Sequence, residues 1–269
     1  FRSNHVYVAT LGLAPEVYAL EQATGAVTWH TALPSTGSRA SIAVAAGRVF
    51  VNTDAHELYS LNALTGAVQW SAHTSSGTSS QGSSPAVAFN KVYVGSDDGL
   101  YAFDLATGAL AWKYPLAAIT GFSSPVIVAS GTAVPLVLIS AADMKVYAVD
   151  AGSGAGVWTY TSGCSLADTS LAFADGRVFT RDLAGAVALD VNNGAVLWKS
   201  AVGLPTKTPA VAGRVVFYSD GQQVMGLDAA TGALTWKAHI PGGTVAGGDM
   251  AVALEMLIVP NRGRVYEFK

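Results

Sequence analysis

Cysteine is almost missing: Cys164 stands alone in 269 residues. No internal disulfide can form, and cysteine usage says nothing about compartment. In Gly163-Cys164-Ser165 it reads as a small loop residue, or else as a reactive or intermolecular thiol. Charge is scarce as well. Only 12% of residues are charged and the formal net charge is −3, which leaves no basic field for a nucleic acid. Long apolar runs are missing too. The most apolar stretch, residues 125–142, is broken by Gly131 and Pro135 and reads as two strands, not a membrane span. Nor does any window keep apolar residues at i, i+3, i+4 and i+7 over helical length. Histidines 5, 30, 56, 73 and 239 show no zinc-ligand spacing to each other or to the cysteine. Asp97-Asp98-Gly99 lacks the Asp/Asn ladder and downstream Glu of a calcium loop. Nucleophile-elbow, P-loop and dinucleotide motifs are absent. No metal site and no catalytic residue is expected. The chain opens without Met or a signal peptide, as a processed or trimmed product would.

What is present is a repeat. Residues 101–112 read YAFDLATGALAW, and the phrase returns at 19–29, 60–70, 148–158, 188–198 and 226–236. All six tryptophans fall at its end: Trp29, Trp70, Trp112, Trp158, Trp198 and Trp236, spaced 38 to 46 residues apart. That period suits a propeller blade or a helical array. The fullest copy, residues 83–116, divides into four short β-branched or aromatic segments joined by Asn/Asp/Gly turns, which is hairpin chemistry. One repeat is therefore a four-stranded antiparallel meander, with strands A, B, C and D in order. Meanders of this size cannot cover both their faces alone, and stacking them radially does. The 51% hydrophobic content and 29 glycines suit sheets covered on both sides. In the phrase, Gly permits positive φ at the C–D turn, Asp or Asn bonds its own turn backbone, and Trp offers a flat surface to the adjacent blade.

The phrase resembles the tryptophan-docking motif of the quinoprotein-like β-propellers, the pyrroloquinoline quinone (PQQ) repeat family, whose pattern is Ala-x-Asp-x-x-Thr-Gly-x-x-x-Trp. Ala102, Asp104, Thr107, Gly108 and Trp112 match it fully. Glu21, Asn62, Ser153, Asn193 and Gly226 are departures in the other copies. The resemblance implies an all-β propeller with structural tryptophans, each buried between blades. Catalytic members of the family carry a vicinal cysteine pair over the quinone, a Glu/Asn/Asp calcium site and an Asp base. A lone cysteine and too few blades set this chain apart from them. No cofactor is expected, and PQQ with calcium belongs only to an alternative reading as a PQQ-dependent dehydrogenase.

The register places one domain over residues 1–269. Blades end near each Trp, and a last unit spans 247–269. The first blade lacks strand A and the last lacks strand D, which gives about seven units. Flanking residues were lost, or the end blades have three strands each. Closure would set the last sheet beside the first blade.

Function is expected on the face shared by the D–A and B–C loops. A column ahead of the A strands reads Ser41, Ser84, Ser124, Ser170, Thr208 and Asp249. These side chains either cap free backbone at the strand entrance or form a channel-mouth ring around a small polar ligand. Arg39, Phe122, Asp168 and Lys207 break the repeat beside that column, as a partner site or as solvated loop residues. Gln22, Ala63 and Asn192 mark the opposite face. Three readings remain open. The first is a non-catalytic, extracytoplasmic protein- or ligand-binding scaffold or sensor domain. The others are the dehydrogenase and a structural subunit associating through its incomplete end blades. The low charge and the Ser/Thr/Gly/Ala-rich loops fit an exported protein.

Overall fold

The computed structural model describes residues 4–10, 15–34, 41–75, 83–116, 123–129, 131–166, 169–203, 205, 208–240, 250–253, 256–261 and 264–268. Within them every regular element is a strand, and no helix is long and apolar enough to cross a membrane. The strands form seven antiparallel sheets in chain order, five of four strands between two of three. Blade 3 is typical, with A at Ala86–Ala88, B at Lys91–Ser96, C at Gly99–Asp104 and D at Leu110–Pro115. Blade 1 begins at strand B, His5–Ala9, and blade 7 stops at strand C, Arg264–Phe268. The seven-unit β-propeller and its incomplete ends are as the repeat required.

The local reasons are visible in the turns. At the A–B turns of blades 2, 3 and 5 two successive residues take positive φ, as in Ala46-Gly47 and Asp175-Gly176. This is the backbone that a tight hairpin imposes on right-twisted strands. At the C–D turns the Asp104 carboxylate accepts from the Ala106 and Thr107 amides at 3.0 and 2.9 Å. Asn62, Asp150 and Asp228 repeat the arrangement. A one-residue slip in C–D pairing, at Ala102/Phe103 in blade 3, recurs in blades 1 to 6.

The blades are joined by the tryptophans. Trp29, Trp70, Trp112, Trp158 and Trp198 each donate the indole N–H to a carbonyl of the next blade: Ala63, Leu105, Ala151, Val191 and Ala229, at 2.8 to 3.2 Å. Each indole also lies over the next blade's turn glycine. A Cβ on Gly108, at φ +73°, would meet Trp70 at 2.7 Å, so no larger residue fits there. Around these contacts the aliphatic side chains of adjacent blades bury one another, as Val128, Leu138 and Trp158 of blade 4 do with Val178, Val187 and Leu189 of blade 5.

Burial of the tryptophans is uneven. Trp70, Trp158 and Trp198 are buried, Trp29 and Trp112 are half-buried, and Trp236 is 36% exposed. Trp236 packs against Phe217 and Phe268, but no turn glycine of blade 7 covers it among the described residues. Blade 1 is less covered than blade 2 on the matching side. Val6 and Val8 are exposed, whereas Val49 and Val51 at the same register of blade 2 are buried. In the same blade a Cβ on Gly25 would meet nothing within 4 Å.

Candidate functional site on the loop face

The A strands begin at a column of hydroxyls, and the structure gives that column a partner in the next blade. The Ser41 amide donates to the Ser84 hydroxyl at 2.8 Å, Ser84 to Ser124 at 3.2 Å, Ser124 to Ser170 at 2.9 Å, and Ser170 to Thr208 at 3.1 Å. Capping does occur, but across blades instead of within one strand entrance. The hydroxyls thereby serve the neighbouring backbone before any ligand. A deeper layer runs beside them. Ser83, Ser123 and Thr169 are buried. Asn52 donates to the Ser83 carbonyl at 3.0 Å, and Ser140 donates to the Thr169 carbonyl at 2.6 Å. Asp249 of the predicted ring lies outside the described residues, as do Arg39, Phe122, Asp168 and Lys207. Of the opposite-face markers, Gln22 and Asn192 are exposed. Ala63 is not a surface residue: it is fully buried and its carbonyl accepts Trp29.

Polar clusters that differ from blade to blade stand on the same face. Between blades 2 and 3 the buried His56 holds φ +62°. Its Nε2 is 3.6 Å from the Asp97 carboxylate and its Nδ1 3.5 Å from the Ser96 hydroxyl. The Thr74 amide and hydroxyl both donate to the His56 carbonyl, at 2.8 and 3.1 Å. This cluster ties the B–C turns of two blades to the start of a D–A loop. Sequence reasoning missed it, although a signal existed. His56 and Asp97 occupy neighbouring positions in B–C turns one repeat apart, and aligning those turns as the A strands were aligned brings them together.

Two further carboxylates are fixed by a phenol and a lysine. Asp98 accepts from Tyr101 at 2.7 Å and pairs with Lys113 at 2.6 Å. Burial pushes its carboxyl up, but Lys113 and Tyr101 outweigh that and hold it below the usual range. Asp182 repeats the theme with Lys199 at 2.6 Å and Tyr160 at 3.3 Å, and its carboxyl is lowered by the same balance. Asp143 bonds Tyr147, whose phenol is pushed up first by burial and then by that carboxylate. These are ion pairs and phenol–carboxylate bonds, an arrangement that holds strands and turns in place.

The quinone named by the family's repeat does not fit the residues present. Cys164 has no cysteine neighbour in the sequence, is half-buried against the contact between blades 4 and 5, and lies 3.9 Å from the Ser162 hydroxyl. No group of three or more His, Cys, Asp or Glu side chains among the described residues is placed to hold a metal ion. Of the channel-mouth hydroxyls, those of Ser84, Ser124, Ser170 and Thr208 accept from amides of a neighbouring blade.

No curated protein matches the chain. Solved structures do. BamB from Moraxella catarrhalis superposes with TM-score 0.78 at 21% identity, over 98% of this chain and 81% of that one. The computationally designed Ika8 protein gives TM-score 0.76 at 17% identity, over 100% of this chain and 81% of that one. Those likenesses support the propeller fold. The family profile described as outer membrane protein assembly factor BamB matches twice, over residues 1–141 and 142–269. The chain therefore belongs to the BamB-like, PQQ-repeat family of β-propellers.

Proposed function

We propose that the chain is a non-catalytic, extracytoplasmic scaffold that binds a protein partner through the face carrying its D–A and B–C loops. The observation that carries this reading is the division of labour on that face. Four of the repeated hydroxyls, those of Ser84, Ser124, Ser170 and Thr208, are taken up by inter-blade bonds. Recognition is thereby left to residues that do not repeat: Arg39, Phe122, Asp168 and Lys207. Two cations, an acid and an aromatic suit a partner surface with a carboxylate or an acidic segment beside an apolar patch, and loops on a rigid scaffold are where binding residues concentrate. Membership of a family described as an assembly factor supports a protein partner in the cell envelope. The lone Cys164 supports a role without quinone chemistry.

The test compares two variants in the native host. One carries Arg39→Ala, Phe122→Ala, Asp168→Ala and Lys207→Ala, and the other carries Gln22→Ala and Asn192→Ala. Envelope proteins that co-purify with the wild-type chain should be lost with the first variant and kept with the second. Loss only with the second variant places the site on the other face. With a partner in hand, removing Arg39 and Lys207 charge should weaken binding more at low salt than at high salt, because screening erodes exposed charge pairs.

A further inference from the structure

Two B–C turns on the loop face depart from the others in what they display. Leu183, in the turn of blade 5, is 67% exposed, more than any other large apolar side chain among the described residues. Met144, in the turn of blade 4, is 43% exposed and holds φ +67°, a backbone that bulky side chains rarely take. The turns of blades 2, 3 and 6 carry no large aliphatic side chain: they read Thr53-Asp54-Ala55-His56, Asp97-Asp98 and Asp220-Gly221-Gln222. Both apolar turns rest on one short stretch of the D–A loop between blades 4 and 5. The Ser162 amide and hydroxyl donate to the Met144 carbonyl at 2.8 and 3.0 Å. A Cβ on Gly163 would meet Leu183 at 3.2 Å, and Arg181 donates to the Ser165 carbonyl at 2.9 Å. The charges beside these turns present one sign to solvent. Lys145 pairs with Asp143 at 3.7 Å and Lys199 with Asp182 at 2.6 Å, and in each pair the lysine is the more exposed member, 42% against 20% and 47% against 5%. In blade 3 the order is reversed, with Asp98 more exposed than Lys113.

We propose that the B–C turns of blades 4 and 5 form a docking surface for an acidic, apolar-bearing segment of a partner protein, with Met144 and Leu183 as apolar contacts and Lys145 and Lys199 as charge contacts. This rests on the loop-face reading above and names the part of that face, and the chemistry, that takes the partner. Covering Leu183 and Met144 with apolar side chains removes their surface from water, which is favourable. Asp143 and Asp182 lie beneath their lysines and leave positive charge outermost, which complements carboxylates on the partner. Apolar contacts within a polar, charged rim are the usual anatomy of a protein interface. The lysines are held by their carboxylates and the turns by the loop bonds, so the contacts keep a fixed spacing. Fixed spacing suits a polypeptide better than a fluid lipid surface.

Two labelled synthetic peptides are the probes, one alternating Glu with Leu and the other Lys with Leu. Each is titrated into the 269-residue chain by fluorescence anisotropy. Saturable binding of the Glu-Leu peptide is expected, at least about tenfold tighter than that of the Lys-Leu peptide and weakening as salt rises. Met144→Ser with Leu183→Ser should weaken it at least about tenfold. Leu64→Ser, at an exposed leucine of the opposite face, should leave it unchanged. Lys145→Gln with Lys199→Gln should flatten the salt dependence, a readout that a purely apolar contact would not move. Equal binding of the two peptides, no binding, or unchanged binding by the double serine variant overturns the proposal. Loss only in the variant of Arg39, Phe122, Asp168 and Lys207 also overturns it, while keeping the loop-face reading. Binding to phosphatidylglycerol vesicles that the double serine variant loses, with no binding of the Glu-Leu peptide, overturns it in favour of a lipid surface.

Discussion

The pairing of one indole with one glycine is the unit from which the molecule is built. At Gly108 two demands coincide: φ of +73°, and a Trp70 ring that leaves no room for a Cβ. At Gly25 only the first applies, because nothing lies within 4 Å. Alanine at Gly25 is expected to cost about 1–2 kcal/mol from the left-handed backbone alone. Alanine at Gly108 should cost clearly more, and urea unfolding of the two variants measures the difference. Equal losses would mean that the indole contact contributes nothing. Trp112→Ala removes both an apolar contact and a donor to Ala151, and an unfolding loss of about 3–5 kcal/mol is expected, in the range of large-to-small core changes.

Tyr93 adds a pH signature at this scale. Its hydroxyl donates to the same Ala151 carbonyl that accepts Trp112, at 3.0 Å. Burial, with Asp150 nearby, pushes its phenol up to about 12. A raised folded value means that the contribution is whole below the unfolded value, about 10. It is lost as pH rises from there toward about 12. Stability should fall over that window and fall less steeply in Tyr93→Phe. The ring without its hydroxyl is already accommodated at the same strand position of three other blades, as Phe50, Phe179 and Phe217. An unchanged alkaline limb in the variant would show that Tyr93 does not titrate with unfolding.

At the scale of the elements, the hydroxyl column and the tight turns decide how one blade meets its neighbour. Ser124→Ala leaves the Ser84 amide without its acceptor, and a loss of about 0.5–1.5 kcal/mol is expected for one such bond. Hydrogen exchange at Ser84 should quicken in that variant, and an unchanged rate would show that the inter-blade bond is not formed. The A–B turn of blade 3 carries a local conflict. Phe89 holds φ +50° with an exposed side chain. Asparagine tolerates that backbone better, so Phe89→Asn should raise unfolding stability by a few tenths to about 1 kcal/mol. A drop in the urea midpoint would show instead that the exposed ring contributes packing.

For the whole molecule, the sequence carried the architecture because each copy of the phrase states one blade's turn chemistry and its contact with the next. Ala102, Asp104, Thr107, Gly108 and Trp112 specify a bulge, a turn and a docking surface without reference to distant residues. What reached across blades was harder to read. The Ser84–Ser124 bond and the His56–Asp97 contact join residues about one repeat apart, and only the ring geometry decides which hydroxyl serves which backbone. Uniform burial of the tryptophans failed at Trp236 for a similar reason. An indole is covered by its neighbour's turn, and among the described residues no turn glycine lies over Trp236. The loop residues Arg39, Phe122, Asp168 and Lys207 were legible only as departures from the repeat, since a partner selects for difference and leaves no periodic mark.

The claim that the repeat serves the fold while blade-unique loop residues serve the partner is tested most directly by site-specific photo-crosslinking in the native host. A photoreactive aromatic residue is placed at position 122 on the loop face or at position 192 on the opposite turns. The account predicts discrete protein adducts from position 122 and none from position 192. Adducts from position 192 alone would contradict it.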